Sequence, residues 1–127
     1  MTVTVMLVDD SKLARIVAGK TLAALQPDWV RIEASNADEA LQVIGRQSVD
    51  IAILDFNMPG RDGLELAAEL RQSYPQMPIA IITANIQDEI IARARAVNAT
   101  FVSKPVTEEG LSSFISGAAL RLKQARS

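Results

Sequence analysis

Short apolar runs alternate with amphipathic stretches along this chain, and the pair repeats five times. A run of four to eight apolar residues bounded by turn signals suits a buried strand, and apolar residues three or four apart suit one face of a helix. Residues 3–8, rich in β-branched side chains, predict a first strand. Ser11 then offers an N-cap to a helix carrying Leu13, Ile16, Val17, Leu22 and Leu25 until Pro27. Residues 29–34 predict a second strand, and Ser35 or Asn36 caps the next helix, since Ser35 with Asp38 and Asn36 with Glu39 both match a capping box. Ala37, Ala40, Leu41 and Ile44 follow at helical spacing. Residues 51–54 form a continuous apolar run between Asp50 and Asp55, the signature of a central strand buried on both faces.

The stretch from Met58 to Gly63 is turn chemistry, after which Leu66, Ala67, Leu70 and Tyr74 mark a third helix that stops before Pro75. Pro78 opens a fourth strand at residues 79–83, and Ile86, Ile90, Ala94 and Val97 stripe a fourth helix. Residues 100–103 make a short fifth strand, and Leu111, Phe114, Ile115, Ala118 and Leu122 stripe a last helix capped by Thr107. Strands alternating with helices point to an α/β protein whose parallel sheet is covered on both faces.

Composition narrows the chemistry. The 127 residues suit one domain, 49% hydrophobic against 22% charged, with neither Cys nor His. Disulfides, thiolate zinc sites, cysteine nucleophiles and imidazole bases are all excluded, leaving carboxylates, Lys, hydroxyls and backbone. The net charge of -2 offers no field for phosphate backbones, so no direct contact with nucleic acid is expected. The early apolar run lacks a basic leader and is too short to span a bilayer, so no membrane association and a cytoplasmic location are expected.

The polar residues gather where chemistry is expected in an open α/β sheet, at the carboxyl ends of the strands. Asp9 and Asp10 end the first strand, Asp55 the third, Thr83 the fourth and Lys104 the fifth. If the first and third strands are neighbours, their tips lie about 4.8 Å apart. Like charges at about 5 Å and an effective dielectric of about 20 repel by roughly 3 kcal/mol, so the cluster takes up protons or binds a cation. Oxygen ligands alone select Mg²⁺ or Mn²⁺ over zinc. Such an ion, with Lys104 and Thr83, is equipped to stabilise a transferring phosphoryl group, and Asp55 itself can serve as the nucleophile.

These residues resemble a known family. Asp9-Asp10 after the first strand, Asp55-x-x-Met58-Pro59-x-x-x-Gly63 after the third, Thr83-Ala84 after the fourth and Lys104-Pro105 after the fifth are similar to the receiver domain of two-component response regulators. The likeness covers nearly the whole chain, taken as one receiver domain over residues 1–127. It implies a five-stranded parallel sheet of order 2-1-3-4-5, a flavodoxin-like doubly wound three-layer sandwich. It also implies that Asp55 accepts a phosphoryl group from a sensor histidine kinase or a histidine phosphotransfer protein. Asp9 and Asp10 would hold Mg²⁺ directly or through water, and Asn57 would offer the metal its backbone carbonyl. Thr83 would bond a phosphate oxygen and Lys104 would pair with the phosphate. Phe101 takes the place of the family's switching aromatic, usually Tyr, and lacks the hydroxyl. Phe56 and Asn85 occupy variable positions beside the site. A cis peptide before Pro105 is implied by the family and not by base rates, which favour trans.

The resemblance makes the chain a signalling switch and not a turnover enzyme, one that assists only its own phosphorylation and dephosphorylation. Its output is expected to pass to another protein through the fourth helix, fifth strand and fifth helix. Two other classes use part of the same chemistry or architecture. A haloacid dehalogenase phosphatase also uses an Asp and Mg²⁺, but places its nucleophile after the first strand with a second acid two residues on, where Asn57 stands here. A flavin module on the same architecture would meet two repelling acids at its phosphate loop.

Overall fold

The computed structural model describes residues 2–84 and 87–126, the last two by their backbone alone; Asn85 and Ile86 of the sequence reading lie outside the described residues. Five strands and five helices alternate strictly: β1 Thr4–Val8, α1 Lys12–Leu25, β2 Val30–Ala34, α2 Ala37–Arg46, β3 Ile51–Asp55, α3 Gly63–Ser73, β4 Ile79–Thr83, α4 Asp88–Ala96, β5 Thr100–Ser103 and α5 Glu108–Arg126. All neighbouring strands pair in parallel, in the order β2-β1-β3-β4-β5. The fold is the flavodoxin-like sandwich that the resemblance implies.

The period-two alternation of each strand divides the core into two layers. Met6, Val8, Ala52, Leu54, Ile79 and Ile81 face α2, α3 and α4, where Ala40, Leu66, Leu70, Ile90 and Ala94 close on them. Val5, Leu7, Ile51, Ile53, Ala80 and Ile82 face α1 and α5, against Leu22, Leu111, Phe114 and Ile115. Every residue of β3 and β4 is buried, as their unbroken apolar runs require, while the edge strands β2 and β5 are largely open.

Several local expectations are corrected. Leu13, Ile16 and Val17 belong to the stripe that the apolar spacing predicts for α1, yet they are 70%, 41% and 47% exposed. The inward line of α1 is instead Ala14, Ala18, Leu22 and Leu25, which recur nearly every fourth residue. Small alanines near the sheet let α1 approach closely and leave the larger side chains one position off, facing out. Of the two possible caps for α2, Asn36 takes the role and accepts from the Glu39 amide at 2.8 Å, while Ser35 donates from its hydroxyl to the Glu39 carboxylate at 3.1 Å. Trp29 precedes β2 and packs half-buried against the α1 side of the core, and Tyr74 is the C-cap of α3, facing solvent. Thr107 does cap α5, accepting from the Gly110 amide at 3.0 Å.

Candidate functional site

The carboxyl ends of β1, β3, β4 and β5 converge, and each brings one of the side chains singled out from the sequence. Asp9 leaves β1 with its amide donating to the Ala34 carbonyl at 3.1 Å. Its carboxylate accepts from the Ser11 amide at 2.9 Å, a local turn that opens α1. Asp10 is exposed beside it. Asp55 closes β3 and is only 3% exposed. One oxygen from each of the three carboxylates lies within 4.8 Å of the others.

Lys104 enters from β5. Its amide donates to the Thr83 carbonyl at 2.9 Å, and the peptide to Pro105 is cis, as the family resemblance implies. Its ammonium stands 2.7 Å from Asp55 Oδ1. The contact is at ion-pair distance but outside hydrogen-bonding angles, so this buried oxygen has no hydrogen-bond partner among the described residues. Thr83 ends β4, 1% exposed. Asn57 is exposed two residues past Asp55. Phe101 lies across from Ile81 on β5 and is half-buried against the core beneath α3 and α4.

Electrostatics follow from this crowding. Burial pushes the Asp55 carboxyl above the ordinary carboxylate range; Lys104 pulls it back, and Asp9 and Asp10 add to the rise. Burial likewise lifts Asp9, partly offset by the Ser11 amide and Lys104 and reinforced by Asp10. For Lys104, burial works downward but the surrounding acids Asp55, Asp9 and Asp10 outweigh it, so its pKa is raised. Three carboxylates thus share one ammonium, and the remaining negative charge, a buried Oδ1 that receives no hydrogen bond and a purely oxygen donor set all fit a hard dication.

The segment after Asp55 is tightly constrained. The Gly63 amide donates to the Phe56 carbonyl at 3.0 Å, and a Cβ at position 63 would stand 2.3 Å from the Asp55 carbonyl oxygen, so only glycine fits. Asp62 caps α3, accepting from the Glu65 amide at 2.8 Å while Glu65 accepts from the Asp62 amide at 3.0 Å. Arg93 of α4 reaches the same Asp62 carboxylate at 3.3 Å and covers the Phe56 ring at 5.9 Å. Sequence reasoning missed Arg93. It stands 31 residues from Asp62, and no local pattern signals such a contact.

Comparison with known proteins agrees with this geometry. The family model for the response regulator receiver domain matches residues 5–116. The chain belongs to that family. It is similar to the positive alginate biosynthesis regulatory protein of Pseudomonas aeruginosa, 39% identical over 111 residues, covering 84% of this chain and 43% of that protein. It is also similar to the response regulator protein FleR of the same organism, 31% identical over 121 residues, covering 94% of this chain and 25% of that protein. The chain therefore spans less than half the length of either relative. Among solved structures, the chemotaxis protein CheY4 of Vibrio cholerae superposes with a TM-score of 0.83 at 28% identity, over 93% of this chain and 99% of that one. The response regulator TrrA of Thermotoga maritima, solved in complex with Mg²⁺-BeF, gives 0.80 at 26% identity, over 91% and 98%. Membership of the receiver family supports the phosphoacceptor reading over the phosphatase alternative, and Asp55 does end the third strand of the fold. Among the described residues no helix is long and apolar enough to cross a membrane.

Proposed function

We propose that residues 1–127 act as one receiver domain in which Asp55 accepts a phosphoryl group from a phosphohistidine on a sensor kinase or phosphotransfer protein. The observation that carries the reading is a single buried carboxylate with an ammonium at 2.7 Å and two further carboxylates within 4.8 Å. Asp9, Asp10, Asp55 and the Asn57 carbonyl would hold Mg²⁺, or Mn²⁺ in its place. The ion, when bound, supplies positive charge that offsets the repulsion between the carboxylates and the incoming phosphoryl oxygens.

The chain's own groups do the rest. An Asp55 carboxylate oxygen attacks phosphorus, an oxygen–phosphorus bond forms, and the nitrogen–phosphorus bond breaks with its electron pair returning to the imidazole. Lys104, already beside Asp55, pairs with a phosphoryl oxygen, and the Thr83 hydroxyl donates to another. No side-chain base is needed, because an ionised carboxylate has no proton to give up when it attacks. The domain assists its own phosphorylation and the later hydrolysis and has no separate substrate. Phosphorylation adds about 1.5 to 2 negative charges to the strand ends, biasing the segments that carry Thr83 and Phe101. Output then passes to a downstream protein through the α4, β5 and α5 face.

The donor's approach is over α1. A groove of about 550 Å³ runs from Asp9 and Lys104 along Leu13, Val17 and Val106. Its exposed aliphatic wall adjoins Asp9 and Lys104 and suits the apolar face of a helix bearing the phosphohistidine.

Incubation with Mg²⁺ and acetyl phosphate, followed by mass spectrometry of the intact chain and its peptides, tests the reading. Wild type is expected to gain one phosphoryl group on the peptide holding Asp55, and Asp55→Asn to gain none. Equal labelling of both proteins overturns the assignment.

A further inference from the structure

The turn that carries Asp9 and Asp10 is held from outside the site, because both polar groups of the Asp9 backbone are referred to β2. The Asp9 amide donates to the Ala34 carbonyl at 3.1 Å, extending the ladder in which Val8 stands opposite Ala34. The Asp9 carbonyl accepts from Arg15 Nη1 at 2.5 Å, and Arg15 Nε donates at 2.7 Å to the carboxylate of Glu33, the residue before Ala34. Arg15 stands in the first turn of α1 with its side chain 15% exposed, while that of Glu33 is 50% exposed. A guanidinium is a rigid planar fork, so one that bonds a carbonyl and a carboxylate together fixes the two relative to each other.

The bonded carbonyl belongs to the Asp9–Asp10 peptide. That unit is planar, so holding its oxygen also sets the direction in which the chain leaves toward Asp10. Such a hold has work to oppose. Asp9, Asp10 and Asp55 each place an oxygen within 4.8 Å of the others, and the charge of Asp10 disfavours ionisation of both Asp9 and Asp55. With no ion between them, like charges push the turn after β1 away from β3. The Ser11 amide on Asp9 Oδ1 is local to the turn and moves with it, whereas Arg15 and Glu33 anchor the turn to the sheet.

We propose that Arg15, steadied by Glu33, is a positioning residue that holds the Asp9–Asp10 turn against carboxylate repulsion and so keeps the cluster ready for a divalent cation. The proposal rests on the metal-binding part of the phosphoacceptor reading and adds the group behind the ligands that sets their affinity. Charge and positioning predict opposite signs. Removing a cation beside three carboxylates would by charge alone strengthen the binding of a dication, whereas releasing the turn weakens it.

The test titrates Mg²⁺ into wild type, Arg15→Ala, Arg15→Lys, Glu33→Gln and the double variant of Arg15→Ala with Glu33→Gln, followed by NMR, with thermal melts alongside. Arg15→Ala is expected to raise the half-saturating Mg²⁺ concentration about tenfold, the scale on which groups behind metal ligands act. Arg15→Lys should recover part of this, since an ammonium meets one partner but does not fix both. Glu33→Gln is expected to raise it by about two- to threefold and to add nothing once Arg15 is gone, because Glu33 acts through Arg15. Without metal, the Asp9 amide should exchange faster in Arg15→Ala than in wild type, and Mg²⁺ should restore its protection. In labelling by acetyl phosphate, the loss should fall on the Mg²⁺ concentration required and not on the rate reached at saturation. Tighter or unchanged Mg²⁺ binding by Arg15→Ala overturns the proposal even if the melting temperature drops, as does a Glu33→Gln effect that survives the loss of Arg15. If Arg15→Ala does not fold, Arg15→Lys and Glu33→Gln decide: both must weaken Mg²⁺ binding, and unchanged binding in either overturns the proposal. Wild type that does not respond to Mg²⁺ overturns the metal reading of the cluster and the proposal with it. Wild type that binds Mg²⁺ but takes no label on Asp55, while Arg15→Ala still weakens Mg²⁺ binding, overturns the phosphoacceptor reading and leaves the role of Arg15 standing.

Discussion

Asp55 and Asp9 are held in a surrounding that resists their ionisation, and this sets the pH behaviour of the metal-free protein. Both have pKa values raised above 3.8, so between 3.8 and the raised values the folded chain holds more protons than the unfolded one. Stability is therefore expected to decline as pH rises through that interval and to stay lower above it. Mg²⁺ should raise the melting temperature at pH 7 and lose this effect in acid; thermal melts with and without Mg²⁺ across pH check both. Lys104 acts with the same sign at higher pH: its raised pKa gives stability that is present below 10.5 and lost as pH climbs past the raised value. Arg71 matters for a different reason. Five carbonyls, those of Tyr74, Pro75, Met77, Val97 and Asn98, depend on one guanidinium, which burial and the nearby Arg121 charge push toward losing its proton. Arg71→Ala is expected to cost about 3 kcal/mol in denaturant unfolding, with Arg71→Lys recovering only part, because a compact ammonium cannot reach all five.

The connection from β3 to α3 shows how an element is set by close approach. Gly63 lies against the Asp55 carbonyl and opens α3 directly above it, under the capping box of Asp62 and Glu65. Gly63→Ala is expected to cost about 2–4 kcal/mol in chemical unfolding and to slow Asp55 labelling, since the added carbon meets rigid backbone. Helix α1 is the element whose surface the apolar pattern misplaced. Its large side chains face solvent near Asp9 and Lys104. Leu13→Ser is expected to leave labelling by acetyl phosphate unchanged while slowing transfer from a phosphohistidine protein donor severalfold; equal slowing with both donors would place its effect at the site itself.

For the molecule as a whole, the alternation of strands and helices was legible because each element carries its own period, two or 3.6, within a few consecutive residues. The candidate site was legible for a related reason. Asp9, Asp10, Asp55, Thr83 and Lys104 each interrupt an apolar run at its end, and a parallel sheet places all such ends on one edge. Arg71 and Arg93 were not legible, because an arginine that serves distant carbonyls or a carboxylate 31 residues away looks like any surface charge. The inward face of α1 was misread because side-chain size drew the stripe to Leu13, Ile16 and Val17 while the close contact with the sheet selects Ala14 and Ala18.

The amino-acid order alone therefore determined the ten elements, the two-sided burial of β3 and β4 and the set of polar residues at the strand ends, since these follow from spacing along a single backbone. The tertiary structure alone decided the 2.7 Å contact of Lys104 with Asp55, the face that α1 turns to the sheet and the reach of Arg71 to Val97 and of Arg93 to Asp62. Those depend on how far side chains reach between elements brought together by packing, a distance that no local period encodes.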